Sequence, residues 1–381
     1  MSMNVVFAGC TSLFGHCFSA VNTKTFLMAL GLTKCGVHCA IYDGLLGYIT
    51  EDAYFQDGIE IVIPKRKGHV FVGELKNISH LYDFMKKRAI GHDKNVLVVE
   101  LPLYHNFLSY VYTGRKLGYK IVVIAHEWAP TLVYTNIYAK ISSFLYTKTF
   151  GYLVDGSLPI SEYIIRKMKH FNKPYFKVPA LADFSNEPID RKKRKGGYFV
   201  YCANANYYRI ANLIISAFYN YKMNGGEYLL FLILSGSDSA IQKIRDMVNN
   251  LGLLDEVKFF SKLSYDVLLD YYQSASALLI PLDPNYEQDL ARFPQKLAEY
   301  CSTSVPIITT DVGEVDYYFK KNTCLKADFS EASFAEKMKW IEQNKEEAMQ
   351  IGLNSYKLGL REFEYKSKSK GIYNFLKSLY V

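Results

Sequence analysis

The sequence predicts an α/β protein made of two Rossmann-like halves that face each other across a cleft. Short, continuous apolar segments alternate with helical patterns, as in parallel sheets that are covered on both faces. This alternation starts twice, at Asn4–Ala8 and again at Tyr198–Ala203. The 381 residues suffice for two domains of ordinary size. We therefore predict domains over 1–187 and 198–363, joined by a basic linker over 188–197.

The N-terminal half opens with a strand, a loop, a helix and a second strand. Its predicted strands are Asn4–Ala8, His38–Tyr42, Ile59–Pro64, Val70–Val72, Val96–Glu100, Lys120–Ala125 and Gly156–Ile160. Its predicted helices cover Ser19–Lys34, Ile78–Arg88, Asn106–Leu117, 131–149 and Glu162–His170. Ser161 is expected to cap the last of these helices, because a serine oxygen accepts from free backbone N–H groups there.

The C-terminal half repeats the pattern. Its predicted strands are Tyr198–Ala203, Tyr228–Leu234, Val257–Phe260, Ala277–Pro281 and Val305–Thr310. Its predicted helices are Ile210–Lys222, Ala240–Leu251, Ser264–Ser274 and three in the tail, Ser330–Gln343, Lys345–Phe363 and Gly371–Leu379. We expect the helix within 364–381 to return to the N-terminal domain. The five cations of Arg191–Lys195 are interpreted as a solvated part of the linker.

Composition restricts the possible partners and compartment. The net charge of +8 permits attraction to anionic lipid or phosphorylated substrates but does not call for nucleic acid. The seven cysteines show no metal-binding spacing, which indicates reduced thiols in a cytoplasmic protein. The N-terminus lacks a basic region before its apolar segment, so no signal peptide is predicted. No apolar run is long enough to span a bilayer, so we expect any contact with the inner face of the cell membrane to be peripheral.

One stretch, Arg292–Tyr300 (RFPQKLAEY), is predicted to be a loop and a helix that lead into the strand at Val305–Thr310. Pro294 suits the first turn of a helix, where its missing N–H costs nothing. The helix follows a strand, so its N-terminus should lie near the carboxyl edge of a parallel sheet, where anionic ligands bind. The stretch therefore predicts a site for a nucleotide diphosphate.

A helical wheel divides this helix into two faces. The apolar or small face, for packing, holds Leu297, Cys301 and Ser304, and the opposite face holds Lys296, Glu299, Tyr300 and Thr303. Taken alone, a lysine and a glutamate three residues apart also fit a solvated surface pair.

Residues 262–282 resemble the helix and strand that precede the nucleotide motif in retaining GT-B glycosyltransferases of family 4. The stretch RFPQKLAEY is similar to the R-F-P-x-K-x-x-E-Y motif of the branch that builds bacterial surface polysaccharides. The resemblance covers 198–315 well and the remaining chain loosely. It implies a GT-B fold and retaining transfer of a hexose from a nucleotide-diphosphate sugar. It also implies a glycan acceptor, which can be lipid-linked, and we expect no cofactor, since the nucleotide sugar is a substrate. No D-x-D metal motif stands in a suitable loop, because Asp283 and Asp289 are isolated, so we expect metal-independent transfer.

The resemblance assigns roles to individual residues. His126 matches a histidine that contacts the donor sugar near the reaction centre, and it is the predicted catalytic residue. Glu299 matches a glutamate that accepts hydrogen bonds from the ribose hydroxyls. Arg292 and Arg209 match positions that hold phosphate. The complete donor-binding set implied is Gly15, Asn204, Arg209, Gly236, Arg292, Phe293, Pro294, Lys296 and Glu299.

The chain departs from the family pattern at several positions. Ala291 stands where a glutamate would hold the donor sugar, which leaves Asp289 or backbone amides for that contact. Asn204 replaces an arginine. Two alternatives therefore stay open, a sugar-nucleotide epimerase on the same scaffold and a non-catalytic protein that binds nucleotide or glycan. The basic amphipathic stretches 135–149 and 162–177 fit an anionic membrane surface or ordinary solvated helices equally well.

Overall fold

The structure is a computed structural model that describes residues 2–9, 20–43, 52–64, 70–100, 104–128, 137–185, 188 and 195–381. Its contacts divide the chain into two compact units. Unit 1 comprises Met1–Ala182, Ala291–Gln295 and Phe363–Val381, and unit 2 comprises Asp183–Leu290 and Lys296–Glu362. Each unit is built on a largely parallel sheet with helices between the strands, which confirms the predicted fold class.

Unit 1 contains a seven-stranded sheet in the order β3-β4-β2-β1-β5-β6-β7. The strands are β1 (Met3–Ala8), β2 (His38–Tyr42), β3 (Asp52–Gln56), β4 (Ile59–Ile63), β5 (Lys94–Glu100), β6 (Lys120–Ala125) and β7 (Gly156–Pro159). All neighbours pair in parallel except β3, which is antiparallel to β4. All side chains of β1 and those of Val96–Glu100 in β5 are buried, as expected for strands that are covered on both faces.

Six helices of unit 1 lie within the described residues: α1 (Ala20–Lys34), α2 (Val70–Ala89), α3 (Tyr104–Lys116), α4 (Ile137–Leu153), α5 (Glu162–Met168) and α14 (Tyr365–Ser378). Ser161 caps α5 as predicted, and its side chain accepts from the Ile164 N–H. The C-terminal helix α14 joins the core of unit 1, where Ile372 and Leu376 share a cluster with Met28 of α1.

Unit 2 contains a fully parallel six-stranded sheet in the order β10-β9-β8-β11-β12-β13. Its strands are β8 (Tyr198–Asn204), β9 (Leu229–Ser235), β10 (Val257–Phe260), β11 (Ala277–Ile280), β12 (Ile307–Thr310) and β13 (Leu325–Ala327). The remaining helices are α6 (Tyr208–Met223), α7 (Asp238–Asn250), α8 (Tyr265–Ser274), α9 (Glu287–Ala291), α10 (Gln295–Ser302), α11 (Glu314–Tyr318), α12 (Glu331–Gln343) and α13 (Lys345–Glu362).

One sequence-based assignment in unit 1 was wrong, and one strand was missed. The apolar residues Val70–Val72 begin α2 instead of forming a strand, because the longer helical segment overrides the local β preference. The sequence analysis also missed β3. In this edge strand Ala53 and Phe55 are exposed and Tyr54 is only partly buried, so no alternating apolar pattern marks it. Backbone pairing with β4 holds it in place.

No described helix is both long and apolar enough to cross a bilayer.

Candidate active site

The strand order of unit 2 reverses between β8 and β11, because the chain runs from β8 outwards through β9 to β10 and returns to β11 on the other side. In parallel α/β sheets, ligands bind at such a reversal, beyond the carboxyl ends of the strands. Asn204 ends β8 and Asp283 follows β11. The predicted donor-binding residues Arg209 and Gly236 follow β8 and β9, so they lie at the same edge of the sheet.

Helix α10 carries Lys296 and Glu299 to this part of unit 2, and both side chains are half-buried. Burial lowers the pKa of Lys296, but the neighbouring Cys202 and Glu299 oppose it, and the net pKa is raised. Lys296 is therefore held as a cation next to a carboxylate, at a position where both remain partly accessible. This pair combines a positive charge for phosphate with an acceptor for hydroxyl groups.

The rest of the predicted polar face of α10 is packed, which corrects the sequence interpretation. Tyr300 is fully buried, and its ring lies edge-on to Tyr272 of α8 with 5.0 Å between the centroids. Burial raises the pKa of both phenols well above the usual value. Thr303 is also buried and donates to the Tyr300 carbonyl at 2.7 Å. Tyr300 and Thr303 therefore stabilise unit 2 instead of facing solvent.

Arg209, the predicted phosphate ligand on α6, pairs with the carboxylate of Asp283. Its guanidinium also lies over the rings of Tyr286 and Phe329, at 5.5 and 5.3 Å from the centroids. The Arg209 side chain is 51% exposed, whereas that of Asp283 is 10% exposed. Arg209 is thus accessible, but Asp283 already balances its charge, and a phosphate would have to compete with this carboxylate.

Asp283 is itself fixed by the segment that follows it. Its backbone N–H donates to Asp289 at 2.8 Å, and its own carboxylate accepts from the Asn285 N–H at 2.8 Å. Asp289, which the sequence analysis considered as a contact to the donor sugar, is 1% exposed. In this structure Asp289 therefore orders the loop after β11.

Asn204 and Gly236 meet at the ends of β8 and β9. The Asn204 side-chain oxygen accepts from the Asn206 N–H at 2.9 Å and closes a turn. Gly236 has a φ of +124°, and a Cβ at this position would lie 3.2 Å from that Asn204 oxygen. Glycine is required here because an L side chain would be strained and would crowd Asn204. A groove of about 950 Å³ between α6 and α7 begins at Ala205 and Asn206, but neither Lys296 nor Glu299 lines it.

The segment Ala291–Gln295 packs within unit 1. The Ala291 carbonyl accepts from the Ser161 hydroxyl at 2.5 Å, and the Gln295 side chain hydrogen-bonds to the backbone of Leu181 in both directions. Phe293 is buried against Phe363, with ring centroids 5.2 Å apart. Arg292 and Pro294 are half-buried. The donor-site roles of Arg292, Phe293 and Pro294 remain predictions.

In unit 1, His126 follows β6 at the carboxyl edge of the sheet. Its Nε2 atom is buried and lies 3.1 Å from Glu100 Oε1 at the end of β5. The second oxygen of Glu100 accepts from the Thr25 hydroxyl at 3.4 Å. Lys24, on the same helix as Thr25, is 2% exposed and donates to the Val178 carbonyl at 2.7 Å. A lysine, a glutamate and a histidine therefore share one buried region.

Burial dominates the electrostatics of this region. It lowers the pKa of His126, the charge of Lys24 lowers that pKa further, and Glu100 and Glu127 partly oppose the shift. Burial also lowers the pKa of Lys24 to about 7, against the attraction of Glu100. The imidazole is consequently neutral near pH 7, which suits a group that accepts or donates a hydrogen bond without carrying charge.

The sequence analysis found His126 but missed Glu100 and Lys24. One signal could have identified Glu100, because it is a carboxylate at the end of a continuous apolar segment in β5. Lys24 stands in the polar run Asn22–Thr25 of α1, so no local pattern marks it as buried. Gly15, the remaining donor-binding prediction, lies outside the described residues. Within the part of the chain that the structure describes, no group of three or more His, Cys, Asp or Glu side chains could hold a metal ion.

Comparison with known proteins identifies relatives of unit 2 and of the fold. A family model described as glycosyl transferases group 1 matches residues 184–358, which covers most of unit 2. No curated protein matches the sequence.

Solved structures of the same fold include sucrose-phosphate synthase from Thermosynechococcus elongatus, with 12% identity, 99% of both chains covered and a TM-score of 0.73. A glycosyltransferase from Rickettsia africae has 11% identity over 99% of this chain and 98% of its own, with a TM-score of 0.73. HepE from Anabaena, in complex with UDP and glucose, has 10% identity over 98% of this chain and 99% of its own, again with a TM-score of 0.73.

These likenesses show that the chain has the GT-B fold. The family match adds that residues 184–358 are similar to glycosyl transferases of group 1.

Proposed function

We propose that this protein is a retaining glycosyltransferase that moves a hexose from a nucleotide-diphosphate donor to a lipid-linked glycan in surface-polysaccharide biosynthesis. The observation that carries the proposal is the half-buried pair Lys296 and Glu299 on α10, within the region that matches the group 1 family model. The complex of HepE with UDP-glucose supports a nucleotide sugar as the donor.

In the proposed site, Glu299 accepts hydrogen bonds from the ribose hydroxyls. A carboxylate suits a vicinal diol because each of its oxygens can accept one O–H. Lys296 supplies positive charge to the diphosphate, and its raised pKa supports this role. Arg292 and Arg209 are the further candidates for phosphate, although Arg209 must first leave Asp283.

The proposed chemistry breaks the bond between the anomeric carbon and the diphosphate oxygen and forms a bond from that carbon to the acceptor hydroxyl on the same face. The acceptor proton passes to the departing diphosphate oxygen, so no side-chain nucleophile is assigned. His126 is proposed to contact the donor sugar as a neutral group. The developing charge on the diphosphate is stabilised by cationic side chains and by the N-terminus of α10, so we propose that the reaction needs no metal ion.

Helix α4 supports an acceptor at a membrane surface. Several of its large apolar side chains are exposed at helical spacing, namely Ile137, Ile141, Phe144 and Leu145. Exposed lysines at 140 and 148 accompany them. An apolar face with cations beside it is typical of helices that lie on anionic membranes. We propose that α4 brings the enzyme to the inner face of the cell membrane, where lipid-linked acceptors are found.

Vesicle sedimentation tests this contact. We expect binding to vesicles that contain phosphatidylglycerol and little binding to phosphatidylcholine alone. The double change Ile141→Ser and Phe144→Ser should abolish binding, because it removes two exposed apolar side chains from the membrane face. The control Leu254→Ser removes an exposed apolar side chain of unit 2 and should bind as the wild type does. Equal binding by all variants would contradict the role of α4.

Product analysis tests the reaction. The protein is incubated with a panel of UDP-, GDP- and ADP-sugars and with membrane extract or a simple alcohol as acceptor. The anomeric configuration of the first product is then read by proton NMR. We expect one donor class to react with retention of configuration. Inversion would contradict the retaining mechanism, and epimerisation of the donor without acceptor would favour the epimerase alternative. Nucleotide binding without transfer or hydrolysis would indicate a non-catalytic binding protein. The alanine at position 291, where the family has a glutamate, is the observation that favours this alternative.

A further inference from the structure

The buried region around His126 contains two ionisable groups that the proposed chemistry does not use. Lys24 and Glu100 are almost completely buried, although unpaired burial of such groups is costly. Both approach His126 from separate elements, Lys24 from α1 and Glu100 from β5. Both groups are therefore placed to influence the protonation of the His126 imidazole.

We propose that Glu100 and Lys24 are positioning residues that hold His126 as a neutral imidazole with its proton on Nε2, so that Nδ1 accepts a hydrogen bond from a sugar hydroxyl. The hydroxyl ligand rests on the proposed glycosyl transfer. The protonation state of the imidazole does not, because it follows from contacts within unit 1.

The contact with Glu100 determines where the proton of the neutral ring lies. Nε2 lies 3.1 Å from Glu100 Oε1, although the contact does not have the geometry of a hydrogen bond. A bare nitrogen lone pair beside a carboxylate oxygen is repelled, whereas an N–H is attracted to it, so the proton belongs on Nε2. The other Glu100 oxygen accepts from Thr25, which fixes the orientation of the carboxylate. The neutral ring then has its lone pair on Nδ1.

Burial restricts the direction from which a ligand can reach His126. Nε2 has almost no exposed surface, whereas the His126 side chain as a whole is 12% exposed. The exposed part of the side chain therefore lies on other atoms, and Nε2 is closed to a ligand. Any hydrogen bond from a ligand to the ring must be made at Nδ1, where a neutral imidazole of this tautomer accepts.

The charges around His126 act in opposite directions. Glu100 alone would favour a protonated, cationic imidazole, because an opposite charge stabilises the charged form. At and below its own pKa of about 7, the Lys24 cation counters this effect, because it disfavours a second positive charge nearby. Its ammonium is anchored by the Val178 carbonyl at 2.7 Å, so it cannot move away. Among the residues that the structure describes, Glu127 is the one further charge that acts on His126, and it acts in the same direction as Glu100.

A neutral acceptor at this position would make the site selective. A sugar that offers a hydroxyl to Nδ1 would be bound, whereas the deoxy sugar would leave a partly buried acceptor without a partner. Sites that hydrogen-bond a hydroxyl reject the analogue that lacks it because their polar atoms are left unpaired. His126 would therefore select for one hydroxyl group without adding charge near the anomeric carbon.

NMR of the full chain with nitrogen-15-labelled histidine tests the inference directly. The chain has eight histidines, and the signal of His126 is identified by its loss in His126→Gln. In the wild type we expect a neutral ring with its proton on Nε2 at pH 7. Lys24→Met should shift the titration midpoint of His126 upward, and Glu100→Gln should shift it downward. The control Lys34→Met removes an exposed lysine from the same helix and should leave the midpoint unchanged.

Kinetics provide the second readout. If the proposed transfer is correct, Glu100→Gln should reduce kcat by roughly 10-fold, as loss of the partner that orients a functional histidine does at metal sites. The affinity for the nucleoside diphosphate should stay unchanged, because Lys296 and Glu299 belong to unit 2. If the NMR result is as expected but no donor is turned over, the inference on His126 stands and the proposed function fails. A wild-type proton on Nδ1, which is measured without any variant, or a midpoint that moves with neither Lys24→Met nor Glu100→Gln would overturn the inference.

Discussion

The two sheets have the same strand order, but the functional candidates at their carboxyl edges differ in charge. Apart from β3, both sheets place their strands in the order third, second, first, fourth, fifth, sixth. In unit 2, neighbouring groups raise the pKa of Lys296 and keep it cationic. In unit 1, burial and Lys24 lower the pKa of His126 and keep it neutral. One edge is thus suited to an anion and the other to an uncharged hydroxyl group.

The difference shows that the fold determines where a ligand can bind but not which kind of ligand binds there. A parallel sheet directs the loops after its strands to one edge, and there the residues decide which ligand is favoured. In unit 2 the cation Lys296 remains half-exposed beside a carboxylate. In unit 1 the side chains of Lys24 and Glu100 are buried and act on a ligand only through the imidazole.

The largest expected effect is a loss of stability at Gly9, which is tightly packed at the carboxyl edge of the unit 1 sheet. Gly9 follows β1 with a φ of +86°, and a Cβ there would lie 2.5 Å from the Glu100 carbonyl oxygen. Gly9→Ala should destabilise the chain by about 3 kcal/mol through backbone strain and overpacking. Gly118→Ala is the matched control, since its φ is +75° but no atom lies within 4 Å. It should cost about 1 kcal/mol. Urea unfolding measures the loss in free energy of unfolding for both variants. Equal losses would contradict the close packing of Gly9 against the Glu100 carbonyl.

The next effect concerns the cation of unit 2. Lys296→Met should weaken binding of the nucleoside diphosphate about 10- to 100-fold, because a charge-assisted hydrogen bond contributes about 1.5–3 kcal/mol. The control Lys243→Met removes an exposed lysine of α7 and should bind as the wild type does. Titration calorimetry provides both affinities. An unchanged affinity in Lys296→Met would remove this residue from the site.

The third prediction concerns the pH dependence of stability that arises from Lys24. Its pKa is about 7 in the folded chain against the usual 10.5 of a lysine, so the unfolded chain binds more protons between these values. Stability should therefore rise with pH over this range, by at most about 1.4 kcal/mol per pH unit. Lys24→Met should lose this rise, whereas Lys34→Met should keep it. The measurement compares the free energies of unfolding at pH 7 and pH 9.

The smallest effect is expected at Arg209. Asp283 already balances its charge and its side chain is half-exposed, so Arg209→Lys should weaken nucleotide binding by only about threefold. The stability of the chain should change by less than about 1 kcal/mol. A loss in affinity as large as that of Lys296→Met would show that Arg209 releases Asp283 and binds phosphate with its full charge.

The sequence predicted most strands and helices because apolar periodicity and capping residues mark them directly. Ser161 and the helix that it caps are one example. The pattern failed where tertiary context decides, as at Val70–Val72 in α2 and at the edge strand β3. Helical spacing also placed Lys296 and Glu299 together but could not reveal that Tyr300, on the same face, packs against Tyr272.

Roles in the candidate site could be proposed most readily where a motif is continuous in sequence, as in Arg292–Tyr300, and these roles stay predictions. The region around His126 could not be predicted from local patterns. Lys24, Glu100 and His126 are separated by many residues in the sequence and come together only through the strand order. Likewise, no local pattern indicated that Asp283 pairs with Arg209. Burial and long-range contacts, which determine pKa values and charge balance, are not visible in a single sequence.

Calorimetric titration of UDP, GDP and ADP into the full chain tests the central claim, that unit 2 binds a nucleotide with its ribose on Glu299. We expect one of the three to bind, Glu299→Gln to weaken that binding by roughly 10-fold or more, and Glu287→Gln, an exposed carboxylate on α9, to leave it unchanged. His126→Ala should also leave it unchanged, because the neutral imidazole serves the sugar. Absence of binding for all three nucleotides at millimolar concentration, or equal affinity in the wild type and Glu299→Gln, would contradict the account.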